Sequence, residues 1–358
     1  MSYSKLAVLL PAHNEEVQLL ETLRSLTSQS RKADKIIVVS DNSTDRTVQI
    51  AKEYAELDDS VVVMETRDNP YRKSGALNQA LALASSIMPR LDYVFTMDAD
   101  TVLSQDFFEK AVTLMDRSSD VGGACACPML KDEDPELTTW QSILWRMGKV
   151  DFGGYMRNLV RWKMKPEVLF GYATMFRHTA LLEILEDAGE VWATNSIVED
   201  YKASLDLRRN GWNLKIIPGA KAYTDVPTSM RELWIQRLRW AGGTWQELAR
   251  AGWTTYTWRV WLTVLGCTAS AVLRVLAIIA WVLVFSLGME IAWSPIWLIP
   301  IVIGVVDRID ITRYTAKADW KDRVLVGSFI PLELMGIVRE SWTVWSGLIV
   351  ATKSRLSW

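Results

Sequence analysis

The chain has 358 residues and a formal net charge of −2, which allows one large domain plus an appendage and excludes the broad basic face of a nucleic-acid binder. Its three cysteines, Cys125, Cys127 and Cys267, form no disulfide framework, and Cys125-Ala-Cys127 lacks the second pair of a zinc site; they read as small apolar residues in a reducing environment. The mean hydropathy of +0.07 averages a polar first part with a very apolar later part.

Residues 6–10 are too short an apolar run for a signal-peptide core and are followed at once by Pro11, so they read as a first strand. The polar part of the chain is therefore expected to stay on the cytoplasmic side. Further β-rich runs occur at 35–40, 61–65 and 93–97, with amphipathic stretches at 15–28, 45–56 and 74–85 between them. Strands alternating with helices imply βαβ units and an α/β domain with a largely parallel sheet. Such sheets bind ligands at the carboxyl ends of their strands. Polar clusters fall there: Pro11-Ala-His-Asn-Glu15, Asp41-Asn-Ser-Thr-Asp45 and Asp98-Ala-Asp100.

Asp98 and Asp100, one residue apart at a strand end, suit a shared hard divalent cation, although two solvated turn carboxylates are the default for an isolated Asp-x-Asp. Residues 41–45 read equally as a helix cap and as a place where Asp41 accepts from a base N–H. Glu199-Asp200 opens a helix over 201–209, where acids favour the dipole and a catalytic base looks the same. On a helix Gln236, Arg239 and Trp240 share a face. They suit a diphosphate beside a stacking surface, or an interfacial helix with snorkelling arginines. His13 and His178 suggest no triad.

From about Trp258 the composition changes. Residues 261–287 are uncharged except for Arg274 and long enough to cross a hydrocarbon core of about 30 Å. Residues 291–306 form a second, shorter apolar run broken by Pro295 and Pro300. Basic residues flank the pair on both sides, and the turn 288–290 has none, which predicts two transmembrane helices with both flanks cytoplasmic. In 324–350, Glu333, Gly336, Glu340, Thr343 and Gly347 form one polar or small stripe, which predicts an amphipathic helix in the membrane interface.

Pro11-Ala-His-Asn-Glu-Glu16, Val39-Ser-Asp-Asn-Ser-Thr-Asp45, Lys73-Ser-Gly-Ala-Leu-Asn78, Asp98-Ala-Asp100, Val198-Glu-Asp200 and Gln236-Arg-Leu-Arg-Trp240 occur in the order seen in family 2 glycosyltransferases. The chain resembles the membrane-associated branch that includes cellulose, hyaluronan and poly-N-acetylglucosamine synthases. The resemblance implies a GT-A fold (Rossmann-like, mostly parallel sheet) over 1–230. An interfacial region with the QxxRW motif would come next at 231–258, then two transmembrane helices at 259–306, and a cytoplasmic linker with an interfacial helix at 307–358. It also implies sugar transfer with inversion from a nucleotide-diphosphate donor, a UDP-sugar in the first instance. The acceptor would be a lipid, glycan or protein presented at the membrane, and the enzyme a multi-pass protein able to form homo-oligomers.

By the same resemblance Asp41 reads the donor base, with Pro11, Ala12, Asn14, Glu15, Lys73, Asn78, Asp98, Gln236 and Arg239 also at the donor. Asp100 ligates Mg²⁺ or Mn²⁺, Asp200 with Glu199 supplies the base, and Trp240 stacks under the acceptor. Two departures bear on this: processive synthases generally carry membrane helices before the catalytic domain, and the acidic pair of the second motif is Ser40-Asp41 here. Transfer of one or a few sugars is therefore expected, with processive polysaccharide synthesis as the alternative. A non-catalytic nucleotide-sugar-binding scaffold is a third reading.

Overall fold

A computed structural model describes residues 4–288, 294–295 and 299–352. In chain order β1 (Leu6–Ala12), α1 (Leu19–Thr27), β2 (Lys35–Ser40), α2 (Thr47–Ala55), β3 (Val61–Glu65), α3 (Arg72–Ile87) and β4 (Tyr93–Met97) alternate as the apolar spacing predicts. β5 (Val102–Leu103), α4 (Phe107–Arg117), β6 (Val121–Leu130), α5 (Thr139–Arg161), β7 (Ala173–Arg177), α6 (His178–Ala188), α7 (Glu199–Arg209) and β8 (Asn213–Thr224) come after them. The apolar part holds α8 (Met230–Ala251), α9 (Trp258–Ser286), α10 (Ile299–Ile311), α11 (Trp320–Gly327) and α12 (Phe329–Thr352).

The chain divides into two compact units, Met1–Asp132 with Leu159–Asp225, and Glu133–Asn158 with Val226–Trp358. The sheet unit is thus not the continuous stretch 1–230 expected from sequence: residues 133–158, most of α5, go with the later helices.

In the first unit the strands run β3-β2-β1-β4-β7-β6-β8-β5. β1 pairs parallel with β2 and β4, β2 with β3, and β6 with β8, while β7 runs antiparallel between β4 and β6. The sheet is α/β and mostly parallel. Every residue of β1 is buried, as befits a central strand covered on both faces. Pro11 is tolerated there because the β4 register ends at Leu9, so its missing N–H costs no ladder bond on that side. Phe95 of β4 packs its ring against Phe107 and Phe108 of α4 at 5.2 and 5.1 Å. This anchors the strand that carries Asp98 and Asp100 at its end. α1 starts later than the amphipathic pattern suggests, because residues 13–18 form a loop in which Asn14 adopts φ 58°.

In the second unit α5 carries Arg146 and Lys149 into a cluster of acids. Arg146 donates to Glu133, Asp319 and Asp322, and Lys149 donates to Asp322. Asp319 and Asp322 also form the capping box that starts α11. Arg157 holds Asp307 near the end of α10.

α12 packs on α8 and α9, and here the structure corrects the sequence reading. The stripe of Glu340, Thr343 and Gly347 is not a water-facing side but a packing seam. Glu340 accepts from Ser270 and Arg274 of α9, the Thr343 carbonyl accepts from Trp245 Nε1, and Gly347 lies against the Trp245 ring. Small residues let helix backbones approach closely, and Arg274, midway along α9, finds its counter-ion on the same seam.

Among the described residues one helix, α9, is long and apolar enough to cross a membrane, with a mean hydropathy of 2.2. Much of the second expected span (291–293, 296–298), residues 289–290 of the turn, and Lys353 with Arg355 beyond α12 lie outside the described residues. The described continuation, α10, has 13 residues, about 20 Å at 1.5 Å per residue.

Candidate active site

The strand ends of β1, β2, β3 and β4 and the start of α7 bring the predicted polar residues together in the first unit. Their loops are held in unusual backbone conformations. Asn14, Asn42, Asp68 and Arg72 all have φ between 44° and 58°, and such strain clusters where function requires it.

After β1, Asn14 is spent internally: its Oδ1 accepts from the Thr44 backbone N–H at 2.8 Å. The Glu15 N–H donates to Thr47 Oγ1 at 2.7 Å. Burial first, and then the charges of Asp100 and Asp98, push the Glu15 carboxyl up to about 7. Burial and Asp98 likewise raise Asp100. After β2, Asp45 Oδ1 accepts from the Thr47 N–H at 3.0 Å just before α2, whose N-cap is Arg46 with no side-chain cap bond. Asp41 is separate from that contact and 7% exposed. Its Oδ1 accepts from Asn42 Nδ2, Thr66 Oγ1 and Asn69 Nδ2 at 2.9, 2.9 and 2.8 Å.

Lys73, in the first turn of α3, reaches across to Asp98. Its Nζ donates to Asp98 Oδ1 and, at 3.2 Å, to the Gly171 carbonyl, and lies 3.7 Å from Glu199 Oε1. Burial works against its charge, but Asp98, Glu199 and Asp200 outweigh that and hold it above the usual lysine range. The Gly171 N–H in turn donates to Asp200 Oδ2 at 3.3 Å. One glycine therefore touches the lysine with its carbonyl and the carboxylate with its amide. A Cβ at Gly171 would lie 3.1 Å from Lys73 Nζ and 3.4 Å from Asp200 Oδ2, so glycine permits this close approach. Asp200 Oδ1 accepts from the Tyr201 N–H at 2.7 Å. Burial and then Glu199 raise Asp200 to about 6 against the pull of Lys73. A carboxylate so poised suits proton abstraction near neutral pH.

Several expected residues lie elsewhere or do something else. Asn78 gives its whole carboxamide to the 191–192 backbone, accepting from the Val191 and Trp192 N–H groups and donating to the Trp192 carbonyl; it shapes the approach to α7. Pro11 and Ala12 form the buried end of β1. Gln236, Arg239 and Trp240 belong to α8 in the second unit. There Arg239 and Trp240 are exposed, Gln236 is half-buried, and Arg237 sits 4.8 Å above the Trp240 ring. Cys125 is buried in β6, and desolvation pushes its thiol up to about 12, so it stays protonated.

Sequence reasoning missed Thr66, Asn69, Gly171 and Lys131. Lys131, at the end of β6, donates to Gln18 and Asp225 at 2.7 and 3.0 Å, and its charge opposes the upward shifts of Glu15 and Asp100. Thr66 and Asn69 lie just past β3, and the rule that pointed to the ends of β1, β2 and β4 applies equally to that strand.

A mostly parallel sheet with acids clustered at its strand ends, beside a half-buried carboxylate, has the architecture of the GT-A fold. Residues 7–185 match the family model of glycosyl transferase family 2, and the chain belongs to that family. It is 26% identical over 245 residues to a poly-beta-1,6-N-acetyl-D-glucosamine synthase of Staphylococcus aureus strain COL, covering 68% of this chain and 55% of that protein. The same-named synthase of Staphylococcus epidermidis is 28% identical over 254 residues, covering 70% and 57%. The chain spans about half the length of these curated relatives. A mannosyltransferase from Pyrobaculum calidifontis, solved with GDP-Man and Mn2+, shares the fold at a TM-score of 0.58 and 17% identity, covering 97% of this chain and 87% of that one.

Proposed function

We propose that this glycosyltransferase moves a sugar, with inversion, from a nucleoside-diphosphate donor to a hydroxyl of a membrane-presented lipid, glycan or protein. The observation that carries the reading is the continuous contact from Asp98 through Lys73 and Gly171 to Asp200. It supports reading Asp98 as the donor-side acid and Asp200 as the base of one site. A single displacement needs the acceptor proton removed on the side opposite the leaving diphosphate. Asp200, raised to about 6, takes that proton at its carboxylate. Glu199 and Lys73 set its charge environment, and Asp41 holds the base of the donor. Gln236 and Arg239 are assigned to the diphosphate and Trp240 to the acceptor by their pattern on α8.

A divalent cation fits the residues present. Glu15 and Asp100 are driven up by neighbouring negative charge as well as by burial, so a cation there relieves repulsion. Mg²⁺ or Mn²⁺ would be held here by one or two carboxylates, with Asp100 first, plus phosphate oxygens and water. Bound there, such an ion neutralises the charge of the leaving diphosphate. Metal depletion, and Asp100→Ala, are each expected to lower nucleotide diphosphate release by about 10²–10³-fold, a few kcal/mol of charge stabilisation. Undiminished turnover in excess chelator, with depletion confirmed by elemental analysis, would sink this assignment.

The membrane part of the proposal places α9 across the bilayer and the next apolar run back through it, with the catalytic unit cytoplasmic. Its support is the apolar length of α9 and the basic flanks. Cysteine labelling from outside is expected to reach position 290 and spare positions 239 and 353; the reverse pattern overturns it. Similarity to polysaccharide synthases favours a second reading, repeated addition to a growing chain. Product length on a supplied donor separates the two.

A further inference from the structure

Asp41 presents the donor's base with one acceptor. A carboxylate oxygen offers about two lone-pair sites, and Oδ1 already accepts from three donors, Asn42 Nδ2, Thr66 Oγ1 and Asn69 Nδ2. Among the described residues no group donates to Oδ2. The clamp is rigid. Asn69 Nδ2 also donates to the Arg72 carbonyl at 2.8 Å, its Oδ1 accepts from the Tyr71 N–H at 3.1 Å, and the Thr66 N–H is fixed on the Ser40 carbonyl at 3.0 Å. A Cβ at Gly75 would overlap Asn69 Oδ1, so the bare backbone of α3 leaves the space in which Asn69 sits.

We propose that Thr66 and Asn69, with Asn42, are specificity-determining residues that select a uracil over a guanine nucleotide by saturating Asp41 Oδ1. The inference rests on the reading of Asp41 as the base contact. Guanine carries a ring N–H and an amino group side by side, a pair that matches both oxygens of an open carboxylate. Uracil carries one N–H between two carbonyls and needs only Oδ2. Guanine at this site keeps one donor unpaired in a largely desolvated position. That is a deficit of about 10- to 100-fold in affinity.

The test is equilibrium titration of the full chain in detergent with UDP and with GDP, each in the presence of Mn²⁺. Wild type is expected to bind UDP about 10- to 100-fold more tightly. Thr66→Val with Asn42→Gly strips two donors from Oδ1, and glycine accepts the φ of 54° at position 42. In that variant the preference is expected to shrink to within about threefold, chiefly through tighter GDP binding. Thr66→Ser keeps the hydroxyl donor and is expected to keep the preference, which controls for folding. Equal UDP and GDP affinity in wild type, or an unchanged ratio in the double variant, overturns the inference while the proposed reaction stands. Failure of both nucleotides to bind overturns the base-contact reading and the inference with it.

Discussion

In the second unit three acids, Glu133, Asp319 and Asp322, close on Arg146 and Lys149, and each carboxylate has a cation at 2.6–2.9 Å. In the first unit Glu15, Asp98 and Asp100 gather at the mouth of the sheet with less compensation. Lys73 is shared between Asp98 and Glu199, and Lys131 is held by Gln18 and Asp225. Both clusters look alike as residue types. The difference is that one is neutralised by the fold, whereas the other keeps uncompensated negative charge. Buried charges normally find partners, and this contrast is what supports reading the strand-end cluster as the proposed site and the other as architecture.

The contrast breaks most sharply at Asp200. Asp200→Asn keeps the size of the side chain and an oxygen to accept from the Gly171 or Tyr201 N–H, but cannot take a proton. Transfer is expected to fall by about 10²–10⁴-fold with nucleotide affinity near wild type. Rapid-quench measurement of transfer beside nucleotide titration checks this, and near-normal transfer would return the assignment to Glu199. In the neutralised cluster Asp322→Ala removes the carboxylate shared by Lys149 and Arg146, and Arg146 keeps Glu133 and Asp319, so the cost is about 1–3 kcal/mol. It is expected to lower the urea midpoint while nucleotide affinity of the folded protein without urea barely moves; a shift in affinity as large as the loss of stability would contradict a purely architectural role.

The smallest effect is the dependence on pH. As the proposed base Asp200 would have to be ionised, and burial with Glu199 raises it to about 6. Activity is therefore full above that value and falls about tenfold per pH unit below it. A log-rate profile, taken where the protein remains folded, that stays flat from pH 7 to 4.5 would remove the base from this carboxylate.

Much of the fold was legible. The runs 35–40, 61–65 and 93–97 became β2, β3 and β4 without change, because buried parallel strands are short apolar runs bounded by turn residues. Asp98, Asp100 and Asp200 were legible as candidates from their place at strand and helix ends. Residues 133–158 were not: Gly153 and Gly154 and mixed charge obscure the helical period in α5, and only its packing shows where it belongs. The stripe of α12 was seen and misread, since a row of polar and small residues has the same period whether it faces water or another helix. Asn78 was expected at the donor from the resemblance alone, and its carboxamide goes to the 191–192 backbone, a partner local sequence does not show. Gly171 was invisible for the same reason, its importance lying in two side chains from distant parts of the chain.

Gly75 is the fourth residue of α3, where glycine weakens a helix by roughly 0.5–1 kcal/mol relative to alanine, and nothing near it belongs to the reacting groups. Its missing methyl is what lets Asn69 reach Asp41. If Asp41 chooses the nucleotide as proposed, that choice depends on an empty volume beside Asn69, and a methyl there would favour the helix while displacing Asn69 from Asp41. Where family members differ in donor, the cause is to be sought in such absent atoms as readily as in any residue that meets the ligand.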